Sequence, residues 1–314
     1  MRQNDSTIIK NAEHSTAALC LCVLALSVGS TLIINFAFPK FDSAAAFVAV
    51  SAAAFLLPSA VFLLFNKNGR GAFISRPQKH TFKFCISALF LLISSALLFK
   101  SIVYYISGSA AQGNASVLSG LGYFESLFCY AVLPAILEEF LFRGVAFYAY
   151  EKSCGGIGAI IATSLFFAAS HFSAAEFLPY FVSGMILGTV VYICRSVFPA
   201  VILHFINNFF SYYLENAVFK ITSETKSGVL AVFILSAISL LLLFCFLLEL
   251  EHICRMRYVT CPSDENSDEF DGQADVCPRL LPLYENTGTV LCRIFASPFV
   301  WVSAVLFITV TTLF

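Results

Sequence analysis

The sequence predicts an all-α protein, a polytopic transmembrane helical bundle with eight or nine membrane-spanning helices, and three observations carry that prediction. Of the 314 residues, 59% are hydrophobic and 12% charged, against about 45–50% and about 25% in soluble globular chains. A mean hydropathy of +0.85 and 35 Phe exceed what one water-facing globule hides, so lipid must solvate much of the surface. The apolar runs are continuous rather than alternating, and in hydrocarbon only helices and closed barrels satisfy every backbone amide and carbonyl. A soluble enzyme is excluded.

Nine runs reach roughly 18 apolar residues: about 17 to 38, 44 to 65, 84 to 106, 123 to 149, 156 to 174, 176 to 194, 197 to 216, 228 to 250 and 294 to 314. The first follows Arg2 and Lys10 like a secretory signal, but it outruns the 7–15 residues of a signal core and is read as a retained helix. The ninth is preceded by Arg293 and contains Pro298, and if it spans, the C-terminus lies outside. The chain divides into N-terminal transmembrane helices over 1–119, core helices over 120–216, and C-terminal helices over 217–314 with an acidic polar loop at about 257–290. No internal repeat occurs.

Basic residues in the loops give the orientation. A cytoplasmic N-terminus gathers Arg2, Lys10, Lys67, Arg70, Arg76, Lys79, Lys83, Lys152, Arg195, Arg255, Arg257, Arg279 and Arg293 inside, and leaves Lys40, Lys220 and Lys226 outside. An integral protein of the plasma (inner) membrane is expected. The polar stretch carrying Asp264, Glu265, Asp268, Glu269, Asp271 and Asp275 reads as a solvated, partly disordered loop. With 18 Lys+Arg against 19 Asp+Glu, no basic patch offers itself to phosphates, so nucleic acid is excluded as a partner and membrane lipid is expected. Eleven Cys are scattered, mostly in apolar runs, as packed thiols are.

Charges inside apolar runs mark function, because each costs about 2.5–3.5 kcal/mol at mid-bilayer. The fourth run contains Glu138, Glu139 and Arg143. Glu139 and Arg143 are four residues apart, on one helical face, where carboxylate and guanidinium pair. Glu138 is rotated about 100° from Glu139, which leaves it available for chemistry. Such a triplet also serves as packing glue between helices. The fifth run places Phe167 one turn before His171, and the seventh places His204 one turn before Asn208. Together these residues supply a base, an orienting group and neutral donors, the inventory for activating water and holding an oxyanion. Pro134 interrupts the fourth run before the glutamates and opens space beside Glu138. Lys100 is expected to snorkel to the interface, and Cys129 and Cys194 acquire no role.

No GxSxG or HExxH motif is present, so covalent catalysis is disfavoured. Glu138, His171 and His204 formally make a His-His-Glu metal set. Zinc is ranked below a cofactor-free mechanism, since the glutamate already has a water-activating role with His171.

In these residues the sequence resembles the CPBP family, also called Abi, which comprises type II CAAX prenyl endopeptidases and bacterial relatives linked to bacteriocin processing and self-immunity. The family motifs EExxxR, FxxxH and HxxxN or HxxxB stand here as Glu138-Glu139 to Arg143, Phe167 to His171, and His204 to Asn208, in order. The resemblance covers roughly residues 120 to 215. It implies an intramembrane glutamic endopeptidase in which Glu138 with His171 activates water, His204 and Asn208 stabilise the oxyanion, and Glu139, Arg143 and Phe167 support them. The implied substrate is a peptide or lipidated protein, either a prenylated CAAX-type chain or a leader peptide.

Two other classes compete. A non-catalytic scaffold or bacteriocin self-immunity protein would keep the fold and bind a partner, but retained intramembrane charges argue for chemistry. A transporter would use them as an ion path, yet no inverted repeat appears. One tension concerns depth: with the N-terminus inside, His171 falls nearer the outer end of its helix than Glu138 does within its own.

Overall fold

A computed structural model describes residues 14–28, 43–65, 81–107, 122–223, 227–260, 292 and 294–313, and among them no strand occurs. Helix α1 is His14–Val28, α2 Ser43–Phe65 and α3 Phe82–Ser107. The fourth apolar run is a rod of short pieces. It comprises α4 (Tyr123–Leu127), a first π-helical segment (Phe128–Val132), α5 (Leu133–Glu139), a second π-helical segment (Phe140–Ala146) and the start of α6 (Phe147–Ala169). Helices α7 (Phe177–Cys194), α8 (Phe198–Ser223), α9 (Ser227–Thr260) and α10 (Pro298–Leu313) follow.

Four helices are long and apolar enough to cross a membrane, over Val48–Phe65, Phe82–Val103, Phe177–Cys194 and Val232–Arg255. The other runs expected to cross are shorter among the described residues. His14–Val28, Cys154–Ala169, Phe198–Ser211 and Pro298–Thr312 are short apolar helices, and the fourth run is divided. The chain is an integral membrane protein, with four such helices where eight or nine crossings were expected.

Local chemistry explains the divisions. Pro134 lacks an amide hydrogen and enters at the start of α5, directly after a π-helical segment whose wider turn accommodates the missing bond. Gly155 sits inside α6 at φ 70°, ψ 175°, a conformation essentially closed to side-chain-bearing residues. It divides the first turns of α6, which end the rod, from the rest of that helix, in the gap expected between 149 and 156. The helix predicted to run to 174 stops at Ala169, and Ser170 and His171 form a turn before Phe172 at φ 48°. Helix α9 outlasts its apolar run and ends at Thr260. Its last turns are polar, and Arg255 Nε donates to Glu251 at 2.9 Å. The acidic stretch past Thr260 lies outside the described residues.

The rod runs through the middle of the bundle, and every residue from Leu141 to Tyr150 is buried. Helix α6 packs on α7, and α3 packs on α7, α8 and α9. Phe84 of α3 stacks on Phe246 of α9 with centroids 4.8 Å apart. Outward faces stay apolar, as at Leu64, Phe65, Leu240 and Phe244, because they meet hydrocarbon rather than water. At one end of the bundle the start of α3 touches the end of α7 through Cys85 and Cys194, whose sulfurs are 3.6 Å apart. At that end Arg195 pairs with Glu151 at 2.5 Å. Burial opposes the Arg195 charge, but the bond and attraction from Glu151 outweigh it and raise its pKa above the ordinary value.

Candidate active site

The fourth run, α6, α7 and α8 converge on the charged triplet. Arg143 is fully buried on the second π-helical segment, a widening found often at functional sites. Its Nη1 donates to Glu139 Oε1 at 2.8 Å, as the four-residue spacing predicts. Its Nη2 donates to the Gly184 carbonyl of α7 at 3.2 Å, and its guanidinium lies over the Phe167 ring, 4.4 Å from the centroid. A charge thus removed from water persists only when paired and hydrogen-bonded.

Glu139 has a second partner across the bundle. His204 of α8 contacts the same Oε1 through Nδ1 at 2.9 Å. A carboxylate bonded to a guanidinium only accepts, so Nδ1 of His204 carries a proton and its Nε2 points the other way. That Nε2 lies 3.9 Å from Glu138 Oε2.

His171 reaches Glu138 from the turn after α6. Its Nδ1 meets the Phe167 carbonyl at 2.9 Å, and since a carbonyl only accepts, Nδ1 is the protonated nitrogen. The lone pair on Nε2 then faces Glu138 Oε2 at 3.8 Å. The expected difference in depth does not keep the two apart, since the imidazole reaches Glu138 from this turn. Glu138 Oε2 is buried and has no hydrogen-bond partner among the described residues.

The structure therefore brings together Glu138, Glu139, Arg143, Phe167, His171 and His204. Asn208 follows His204 by one turn and is half-buried, outside the contacts just described. Lys100 turns toward α8, where Nζ donates to the Ser211 carbonyl at 3.3 Å. Two residues of α7 were not anticipated: Gly184, through its carbonyl, and Tyr180, whose ring stacks on His171 with centroids 3.5 Å apart and planes at 18°. A glycine and a tyrosine in an apolar run carry no signal of such a role. No group of three His, Cys, Asp or Glu among the described residues is arranged to hold a metal ion.

Chemically, an unpartnered carboxylate oxygen and an imidazole lone pair 3.8 Å apart suit one oxygen placed off the line between them, within about 2.8 Å of each. Residues 120–210 match the family model for type II CAAX prenyl endopeptidase Rce1-like proteins. No curated protein and no solved structure matches the chain.

Proposed function

We propose, from the match of residues 120–210 to the Rce1-like family model of type II CAAX prenyl endopeptidases, that the chain is an intramembrane glutamic endopeptidase. The observation that carries this reading is Glu138 Oε2, 3.8 Å from His171 Nε2 and 3.9 Å from His204 Nε2 on two other elements. The substrate is a membrane-associated or prenylated CAAX-type protein, or a leader peptide.

The attacking water donates one hydrogen to the Glu138 carboxylate and the other to the His171 Nε2 lone pair. Its free lone pair is thereby aimed at the scissile carbonyl. Glu138 takes the proton as the carbon–oxygen bond forms, and passes it to the departing amine nitrogen as the carbon–nitrogen bond breaks. The tetrahedral oxyanion is held by His204 Nε2 and by the Asn208 amide one turn on. A donor at His204 Nε2 needs a proton there besides the one on Nδ1, and Glu139, at 2.9 Å from Nδ1, is the counter-charge to that imidazolium. No metal enters the reading.

The N-terminus is assigned to the cytoplasm. Support comes from the contacts Cys85 to Cys194 and Arg195 to Glu151, which gather Lys83, Lys152 and Arg195 at one end of the bundle as the positive-inside rule requires.

The test is cleavage of a membrane-reconstituted peptide library that includes farnesylated peptides ending in CAAX sequences. Wild type is expected to cleave with or without a zinc chelator, and Glu138→Gln to be inactive yet folded. Chelator-sensitive cleavage would turn His171 and His204 into metal ligands. Full activity of Glu138→Gln, or none in folded wild type, would overturn the peptidase reading.

A further inference from the structure

His171 is the member of the site that the backbone holds least. Helix α6 ends at Ala169, and His171 stands in a turn where its own amide makes only a 3.3 Å bond to the Ala168 carbonyl. The next residue, Phe172, has φ 48°, a left-handed conformation costly for a large side chain. Two side-chain torsions must be fixed if Nε2 is to keep facing Glu138. The bond from Nδ1 to the Phe167 carbonyl restrains rotation within the ring plane but leaves the ring free to tilt about that bond.

Tyr180 supplies the second restraint. Its ring lies almost parallel to the imidazole, 18° off, with centroids 3.5 Å apart, on the face that a tilt would sweep. Tyr180 is held in turn: its hydroxyl donates to Glu176 Oε2 one turn earlier at 3.2 Å, and its ring meets Phe167 edge to face at 6.3 Å. Phe167 borders the edge of the imidazole, edge to face with His171 at 5.0 Å. The imidazole is thus bounded by two rings and one carbonyl.

We propose that Tyr180, fixed by Glu176, is a positioning residue for His171: it sets the plane of the imidazole and so aims the Nε2 lone pair at the water shared with Glu138. The inference rests on the peptidase reading for its kinetic consequence. Its geometric content stands apart from that reading. The stack, not the hydroxyl, does the aiming, so Phe at 180 retains most of the effect and an aliphatic residue does not.

Purified protein in nanodiscs carries both tests. With a farnesylated CAAX peptide as probe, Tyr180→Leu is expected to lower kcat about 10- to 100-fold with KM nearly unchanged, the usual cost of a misaimed group. Tyr180→Phe is expected to restore kcat to within about threefold of wild type. In a His171→Ala background, Tyr180→Leu should have no further effect, because the residue it positions is gone. A Tyr180→Leu enzyme with wild-type kcat, or one that loses further activity without His171, overturns the proposal.

The second test needs no turnover. Nitrogen-15 spectra of imidazole-labelled protein, with His171 assigned from the signal missing in His171→Ala, should show one tautomer with Nδ1 protonated in wild type. Tyr180→Leu should keep that tautomer, since the Nδ1 bond to Phe167 remains, but broaden the imidazole signals as the ring tilts, and unchanged line widths would overturn the positioning role. If folded wild type cleaves nothing, the peptidase reading fails while these spectra still decide the role of Tyr180.

Discussion

Glu139 and His204 are joined by a 2.9 Å contact between Oε1 and Nδ1, and both side chains are almost completely buried. Adjacent glutamates therefore divide their duties: Glu139 orients an imidazole and neutralises Arg143, while Glu138 Oε2 keeps a buried atom without a hydrogen bond.

That division separates two isosteric variants. Glu139→Gln leaves the Arg143 guanidinium buried without its counter-charge, and loss of one partner of such a pair costs about 3–5 kcal/mol. Its thermal unfolding midpoint in detergent is expected to fall well below that of Glu138→Gln, which strips no ion pair shorter than 3.8 Å. Equal midpoints would dismiss Glu139 as the structural member.

Arg143→Lys tests the guanidinium as a fork. An ammonium keeps one contact to Glu139 but cannot also span to the Gly184 carbonyl, 3.2 Å from Nη2, and lie flat over Phe167. A loss of about 1–3 kcal/mol is expected, with lowered cleavage. Wild-type stability would show that charge alone suffices.

Gly184 is where α6 and α7 approach closely. A Cβ there would lie 2.9 Å from the Ser164 Cβ and 3.0 Å from its Cα, so Gly184→Ala must part the helices. Overpacking of this kind costs about 1–3 kcal/mol, and the displaced carbonyl weakens its bond to Arg143. Stability curves and cleavage rates measured together check both effects, and an Ala variant as stable as wild type contradicts the packing.

The packing of α3 on α7 is open to chemistry. In a variant that keeps Cys85 and Cys194 as its only cysteines, a thiol oxidant is expected to join them, since their sulfurs lie 3.6 Å apart. Mass spectrometry of the linked peptides reads the result. Absence of the linked peptides from oxidised, folded protein would contradict this helix neighbourhood.

Spacing within a helix was readable from the sequence; rotation between helices was not. The pair Glu139 and Arg143 follows from four-residue periodicity, and Gly155 falls where the apolar pattern breaks. The same periodicity put His204 and Asn208 on one face, but His204 turns its Nδ1 to Glu139, a choice set by how α8 is rotated against the rod. Tyr180 and Gly184 were invisible for that reason: their roles exist only through α7 packed on α6. The π-helical segments escaped too, because one residue inserted into a helical turn leaves the apolar composition unchanged.

Because the stretch from Leu141 to Tyr150 is buried on every side, the rod offers natural variation no neutral ground where it leaves its charged triplet toward α6. Changes that retune the chemistry must also be changes that repack the bundle. Freer exchange is left to outward positions such as Phe198, Ile202 and Phe210 of α8.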